Sequence, residues 1–385
     1  MSIHSQSLEA SSALDALHSP PASESAGAAA ASADVTARAD NRHAVWLAVA
    51  ASAAWFASGA LTHWWPALDD WPHTAQWLAF KLIVGTIALA IGLSALWRDR
   101  ERGLYRSRTQ SKSAASAWSG GVRASGRFGA SLDKALATTP WWIALAIGTA
   151  LWEVFTAQLG WLPRPFFAPP QALVGVFFDD LPRLLSSVAH SGALLAEGYV
   201  LGAITGFAVG VSIGWSKAIG YWLHPVLRLI GPLPATAWLP LAFFFFPSSF
   251  SASVFLIALA TGFPVAVLTW SGVAAVSASF YDVARTLGAR PAFLIFKVAI
   301  PAALPSVFVG LFMGLGASFS VLIVAEMMGV KAGLGWYLQW AQGWAAYSNM
   351  YAALLVMALM CSGLISALFL VRDRLLGWQK GLLKW

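Results

Sequence analysis

The sequence predicts an all-α integral membrane protein of about eight transmembrane helices, and three observations carry that prediction. Only 11% of its 385 residues are charged and 58% are hydrophobic, with a mean hydropathy of +0.66; soluble domains carry about 25% charged residues. Apolar runs near the ~20 residues that cross a bilayer as a helix recur at 44–62, 76–97, 141–160, 190–214, 222–246, 252–272, 305–327 and 350–371. Within each run the apolar residues are continuous rather than alternating, which is the pattern of helices and not of barrel strands.

Taken in order, residues 1–43 are rich in Ala and Ser, hold five acids against two arginines and lack a basic leader. They read as a disordered cytoplasmic tail, not a secretory signal. Residues 44–97 form a hairpin around the loop "THWWPALDDWPHT". Residues 98–139 are a Ser/Gly/Arg-rich linker, too polar and too full of helix breakers to pack a core. A six-span block follows from 140 to 385. Its run at 222–246 holds Pro225, Pro232, Pro234 and Pro240, so that span is the one expected to break. No internal repeat is evident, which argues against an inverted-repeat secondary transporter.

Charge sets the orientation. The linker carries nine Lys and Arg against three acids, and the C-terminal tail carries Arg372, Arg374, Lys380 and Lys384. Both are expected to be cytoplasmic by the positive-inside rule. With eight spans the N-terminus and the 273–304 connection then also lie inside. Most of the net charge of +7 is therefore topological, which makes nucleic acid a poor choice of partner. Cys361 is alone, so neither a disulfide framework nor a thiolate metal site is available within one chain. Many of the 21 tryptophans, among them Trp64, Trp65, Trp141, Trp161 and Trp344, fall near span ends, as an interfacial belt requires.

Two patterns stand out inside the six-span block. Gly198, Gly202, Gly206, Gly210 and Gly214 recur every four residues, a stripe along one helix face that lets another backbone approach closely. Between two apolar runs, residues 281–301 read "YDVARTLGARPAFLIFKVAIP", with an acid, three cations, a glycine and two prolines. Asp282 to Leu287 suit a short helix, Gly288 ends it, and Pro291 opens a second. By composition this is an interfacial amphipathic helix–turn–helix.

Its spacing says more. Asp282-Val283-Ala284, three residues, Gly288, nine residues, Val298, one residue and Ile300-Pro301 resemble the EAA loop of ABC importer permeases, whose pattern is Glu-Ala-Ala, three, Gly, nine, Ile, one, Leu-Pro. "GPLPATAWLPLAFFF" (231–245), "LIVAEMMGVKAGLGWYL" (322–338) and "FFAPPQAL" (166–173) resemble segments of the nitrate, sulfonate and taurine group of that family. The resemblance covers about 145–380 and leaves the first two runs outside. Asp282 and Val283 depart from Glu and Ala, "FFFFPSSFSAS" replaces an acid-bearing outer loop, and Glu197 lies a turn from where similar permeases carry arginine.

The resemblance implies a type I ABC importer fold of six spans, with its core at about 188–371, preceded by the extra hairpin. It implies a permease subunit in the bacterial inner membrane with both termini cytoplasmic. That subunit works as a homodimer with two ABC ATPase subunits and a periplasmic solute-binding protein. The chain has no G-x-x-x-x-G-K-[ST] or H-E-x-x-H, so it is expected to be no enzyme and to hold no cofactor or metal. ATP and Mg would bind the partner ATPase. Asp282, Val283, Ala284, Arg285, Gly288, Val298, Ile300 and Pro301 become candidates for ATPase coupling, with Ala284 packing on the ATPase and Pro301 setting the start of the next span.

Within the membrane, Glu153, Glu197, Arg228 and Glu326 are costly if they face lipid, so interior positions or snorkelling are the two readings. Glu326, which matches the family segment, is assigned to gating or helix contact, and Pro232, Pro234 and Trp238 to the wall of the path. The solute implied is a small oxyanion such as nitrate, a sulfonate or taurine, with bicarbonate and pyrimidine vitamin precursors in the same group. A membrane-anchored sensor or scaffold, working through the hairpin and basic linker, is the competing function.

Overall fold

The computed structural model describes residues 22–110, 132, 134–163, 165–231 and 233–378, with side chains from 43 onward except 99–110. Every regular element among them is helical. The chain divides into two compact units, residues 1–162 and 163–385.

The first unit holds α1 (Ala22–Trp64), α2 (Thr74–Gln110) and α3 (Thr139–Glu153), which runs on as a π-helix, Val154–Gln158. Helix α1 begins inside the segment expected to be a disordered tail. Ala28 to Ala31, the best helix formers, are a local reason; residues 1–21 lie outside the described residues. Helix α2 likewise continues 13 residues past 97, into the predicted linker. The far end of that linker returns to the core, where Leu132 and Leu136 bury against Val45, Ala48 and Ala95. Residues 111–131 lie outside the described residues.

The domain boundary also differs from the expected one. Helix α3 was to open the block beginning at 140, yet it packs along α1 in the first unit. Polar chemistry explains the choice: Glu153 is buried against Lys81 of α2. The loop between α1 and α2 adds backbone ties to the π-segment, Leu68 N to Ala157 O at 2.9 Å and Gln158 Nε2 to Trp65 O at 3.0 Å.

The second unit runs α4 (Pro170–Asp179), α5 (Leu181–Trp215), α6 (Lys217–Ile230), a 3₁₀ turn (Ala235–Trp238) and α7 (Leu239–Phe245). Then come α8 (Ser249–Ala274), α9 (Ala278–Thr286), α10 (Ile300–Met328), α11 (Leu334–Gly343) and α12 (Tyr347–Leu375). Among the described residues, six helices are long and apolar enough to span a membrane: His43–Trp64, Thr74–Arg98, α5, α8, Pro291–Met328 and α12. Helix α6 with residues 235–245 makes a seventh, bent by 88° at the proline-rich break. The third apolar run is α3, whose 15 α-helical residues continue into the five of the π-helix.

Helix α8 is the central element, packed between α5 and α10. A Cβ added at Gly198, Gly202, Gly206, Gly210 or Gly214 would lie only 2.4–2.7 Å from an atom of α8. At Gly202 and Gly206 that atom is a backbone carbonyl, of Ala258 and Gly262, so no side chain can move aside. Backbone thus rests on backbone along about two turns of the seam, from Gly202 to Gly210. Leu194, Leu195, Leu256, Ile257, Phe319 and Leu322 fill the core beside it.

Candidate functional site

The bent segment at 278–299 forms one end of the second unit. Helix α9 closes with a Schellman turn: Gly288 N donates to Arg285 O at 2.9 Å and Ala289 N to Ala284 O at 3.0 Å. Gly288 sits at φ +79°, and among the described residues no atom lies within 4 Å of a Cβ placed there. The turn therefore needs glycine for its dihedral and not for space within this chain. Arg290 is extended before Pro291, which takes the first helical position.

Ala284 is buried and lines the apolar hollow of this segment, while Asp282 and Arg285 form an exposed i,i+3 pair at 3.4 Å. Tyr281 anchors the inner face, its ring 6.0 Å from Trp215 at the end of α5. Burial there pushes the Tyr281 phenol up, opposed by the charge of Arg285. The outer face is apolar. Phe280, Val283, Leu287, Phe293 and Phe296 are all more than half exposed, and Leu287 reaches 82%. They rim an open hollow of about 990 Å³ whose edge carries Arg290 and Lys297.

The second half of the segment differs from the expected helix–turn–helix. Pro291–Phe293 and a π-helix, Leu294–Ala299, lead into α10 without a break, one helix of 38 residues. Val298 lies in the π-segment, and Ile300 and Pro301 open the α-helical part. A proline inside a helix has no N–H to give to the i→i−4 ladder, and just before Pro301 the ladder has widened to the π register, with Ile300 N donating to Ile295 O. Pro301 thus marks a register change and not the start of a separate span.

The far end of α10 carries Glu326, about 39 Å away at 1.5 Å per residue. Glu326 is 1% exposed. Ser191 Oγ of α5 donates to its Oε1 at 2.6 Å, and Gly335 N of α11 to its Oε2 at 2.7 Å. Leu334 N in turn donates to Ser191 Oγ at 2.8 Å. Gly333, at φ +97°, brings the chain so close that a Cβ would lie 2.1 Å from Oε1. One carboxylate thereby ties three helices together.

A second polar knot joins α11 to α12 and to the junction of α4 and α5. Tyr337 OH donates to Asp180 Oδ2 at 2.7 Å, and Asn349 Nδ2 to Tyr337 OH at 2.7 Å. Burial pushes the Tyr337 phenol up, and the Asp180 carboxylate adds to it against the Asn349 amide.

The broken span carries Pro234, extended at ψ 137°, and Trp238 at the end of the 3₁₀ turn. Pro232 lies outside the described residues. Pro234 and Thr236 line a hollow of about 430 Å³ with Phe263, Met313 and Ser320, while Trp238 packs on the core cluster. Glu197 and Arg228 are exposed. Glu326 therefore does not share the hollow with Pro234, and the coupling candidates gather at the opposite end of α10. Among the described residues no group of three or more His, Cys, Asp or Glu is placed to hold a metal ion.

Sequence reasoning missed Ser191, Asp180, Tyr337 and Asn349. A signal existed for Ser191, which lies seven residues before Gly198 on the face of the glycine stripe. None existed for the Asp180 knot, whose partners are 157 and 169 residues away.

Residues 198–379 match the family described as binding-protein-dependent transport system inner membrane component. The chain is 30% identical over 236 residues to the "Putative aliphatic sulfonates transport permease protein SsuC" of Bacillus subtilis, covering 61% of this chain and 85% of that one. It is 29% identical over 251 residues to the nitrate import permease protein NrtB of Synechococcus elongatus, covering 62% and 87%. It is 32% identical over 188 residues to the bicarbonate transport system permease protein CmpB of the same organism, covering 48% and 64%.

Proposed function

The chain belongs to the family of binding-protein-dependent transport system inner membrane components, and on that premise we propose that it is the permease subunit of an ATP-driven importer of small anions. The observation that carries the coupling part is the apolar hollow on α9 and residues 289–297. Five large apolar side chains stand exposed around a turn fixed by hydrogen bonds. Such a patch marks an interaction surface, and a separate cytoplasmic ATPase is its partner. ATP and Mg bind that ATPase, and this chain supplies the lever.

The lever has two arms. Tyr281 holds α9 against the end of α5, its ring beside Trp215, so a push on the hollow does not simply fold the loop back. Residues from Pro291 on belong to one helix that reaches Met328, so displacement at Phe293 is carried to the Glu326 knot. There it meets α5 and α11 together. Pro234, Thr236 and Ser320 border the path. The chain lies in the inner membrane with both termini cytoplasmic, pairs with a second copy, and receives solute from a periplasmic binding protein.

The solute class rests on relatives named for sulfonates, nitrate and bicarbonate. The test uses the chain with its ATPase. Val283→Asp and Leu287→Asp place charge in the hollow without touching the buried face. They are expected to abolish ATPase co-purification while leaving the amount in the membrane unchanged. Retained association and uptake would remove the hollow as the docking site. Uptake of labelled nitrate, bicarbonate and an alkyl sulfonate tests the solute; transport of none would overturn the anion reading.

A further inference from the structure

The first unit contains a charged pair that the family match at 198–379 does not reach. Lys81 is 0% exposed and Glu153 1%. The Lys81 ammonium has three N–H groups, and each has an acceptor: Ser58 O at 3.1 Å, Thr62 Oγ1 at 2.8 Å and the Glu153 carboxylate. The same carboxylate oxygen accepts from Trp77 Nε1 at 3.1 Å and lies 3.1 Å from Thr62 Oγ1. The ammonium also stands 5.1 Å from the centroid of the Trp77 ring. Ser58 and Thr62 belong to α1, Trp77 and Lys81 to α2, and Glu153 to α3, so one polar node joins all three helices.

Lys81 lies seven residues into α2, about 10 Å along a helix axis and within the ~30 Å hydrocarbon layer. A charge at that depth on an isolated hairpin would have to snorkel or distort the bilayer. So would Glu153 on an isolated α3. Every N–H of the ammonium is taken by protein acceptors, which argues for a joint rather than a transport site.

We propose that Lys81 and Glu153 form an intramembrane charge clasp that locks the α1–α2 hairpin to α3, so that each element depends on the other for stable residence in the bilayer. The hairpin is then not a detachable anchor, because removing it strands Glu153 in lipid.

The test is a double-mutant cycle in the full chain: Lys81→Met, Glu153→Gln and both together. Membrane-embedded yield and the melting temperature of detergent-purified protein are the readouts. Each single change strands one buried charge and is expected to lower the folded yield at least about tenfold. The double change keeps Thr62 and Trp77 bonded to the glutamine and is expected to return the yield to within about twofold of wild type. Should a single variant fail to accumulate, recovery in the double variant still decides the matter. Singles that behave as wild type, or a double whose loss equals the product of the two, would overturn the clasp.

Discussion

Gly206→Ala adds one methyl group to α5 at the point where it rests on the backbone of α8. That carbon would lie 2.4 Å from Gly262 O and 2.9 Å from Gly262 Cα, against the roughly 3.4 Å at which ordinary contact begins. The helices must part by about 1 Å, the difference of those two distances. Because Gly202 and Gly210 meet Ala258 O and Ala266 O at 2.4 and 2.5 Å by the same measure, the parting opens contacts on both sides. Overpacking costs about 1–3 kcal/mol, and a carbonyl that cannot rotate away places this site near the upper end. Gly192→Ala on the same helix is the control, since among the described residues no atom lies within 4 Å of its added carbon. Both variants share the helix-propensity gain of alanine over glycine, so it cancels. The difference between them, about 2–3 kcal/mol, corresponds to roughly 5–10 °C in melting temperature for a unit of this size. Thermal unfolding of purified protein in detergent measures it. Midpoints equal to within about 1 °C would refute the claim that the seam is held by backbone contact.

Two further expectations follow from the polar and turn geometry. Gly288→Val should insert normally but uncouple ATP hydrolysis from uptake in proteoliposomes, since a φ of +79° costs a side chain about 1–2 kcal/mol; Gly288→Asn, better tolerated there, should retain more coupling, and normal coupling in the valine variant would discard the role of the turn. Ser191→Ala removes a donor from Glu326 and the acceptor of Leu334 N, a loss of about 2–3 kcal/mol. It and Glu326→Gln should both speed proteolysis at 329–333 and slow uptake, whereas unchanged behaviour in both would dismiss the knot as a functional tie.

The spans, the bent segment and the glycine stripe were legible because each is written in local spacing. Apolar runs of bilayer length state their own secondary structure, and glycines four apart share a face whatever lies opposite. The EAA-like segment was legible for the same reason, down to the positive φ at Gly288. The N-terminal elements were less so: alanine-rich helix and solvated linker differ little in composition, and α1 and α2 run further than their apolar stretches.

What the sequence alone determined is therefore the apolar spans and the glycine turn between two of them, while the short helices α4 and α11 emerged only in the structure. Tertiary structure decided which polar groups meet. Lys81 sits inside an apolar run, 72 residues from Glu153, and Ser191 is 135 residues from Glu326. In a hydrocarbon layer a buried charge must find a partner or leave. Which partner it finds depends on how whole helices pack, and no local spacing records that.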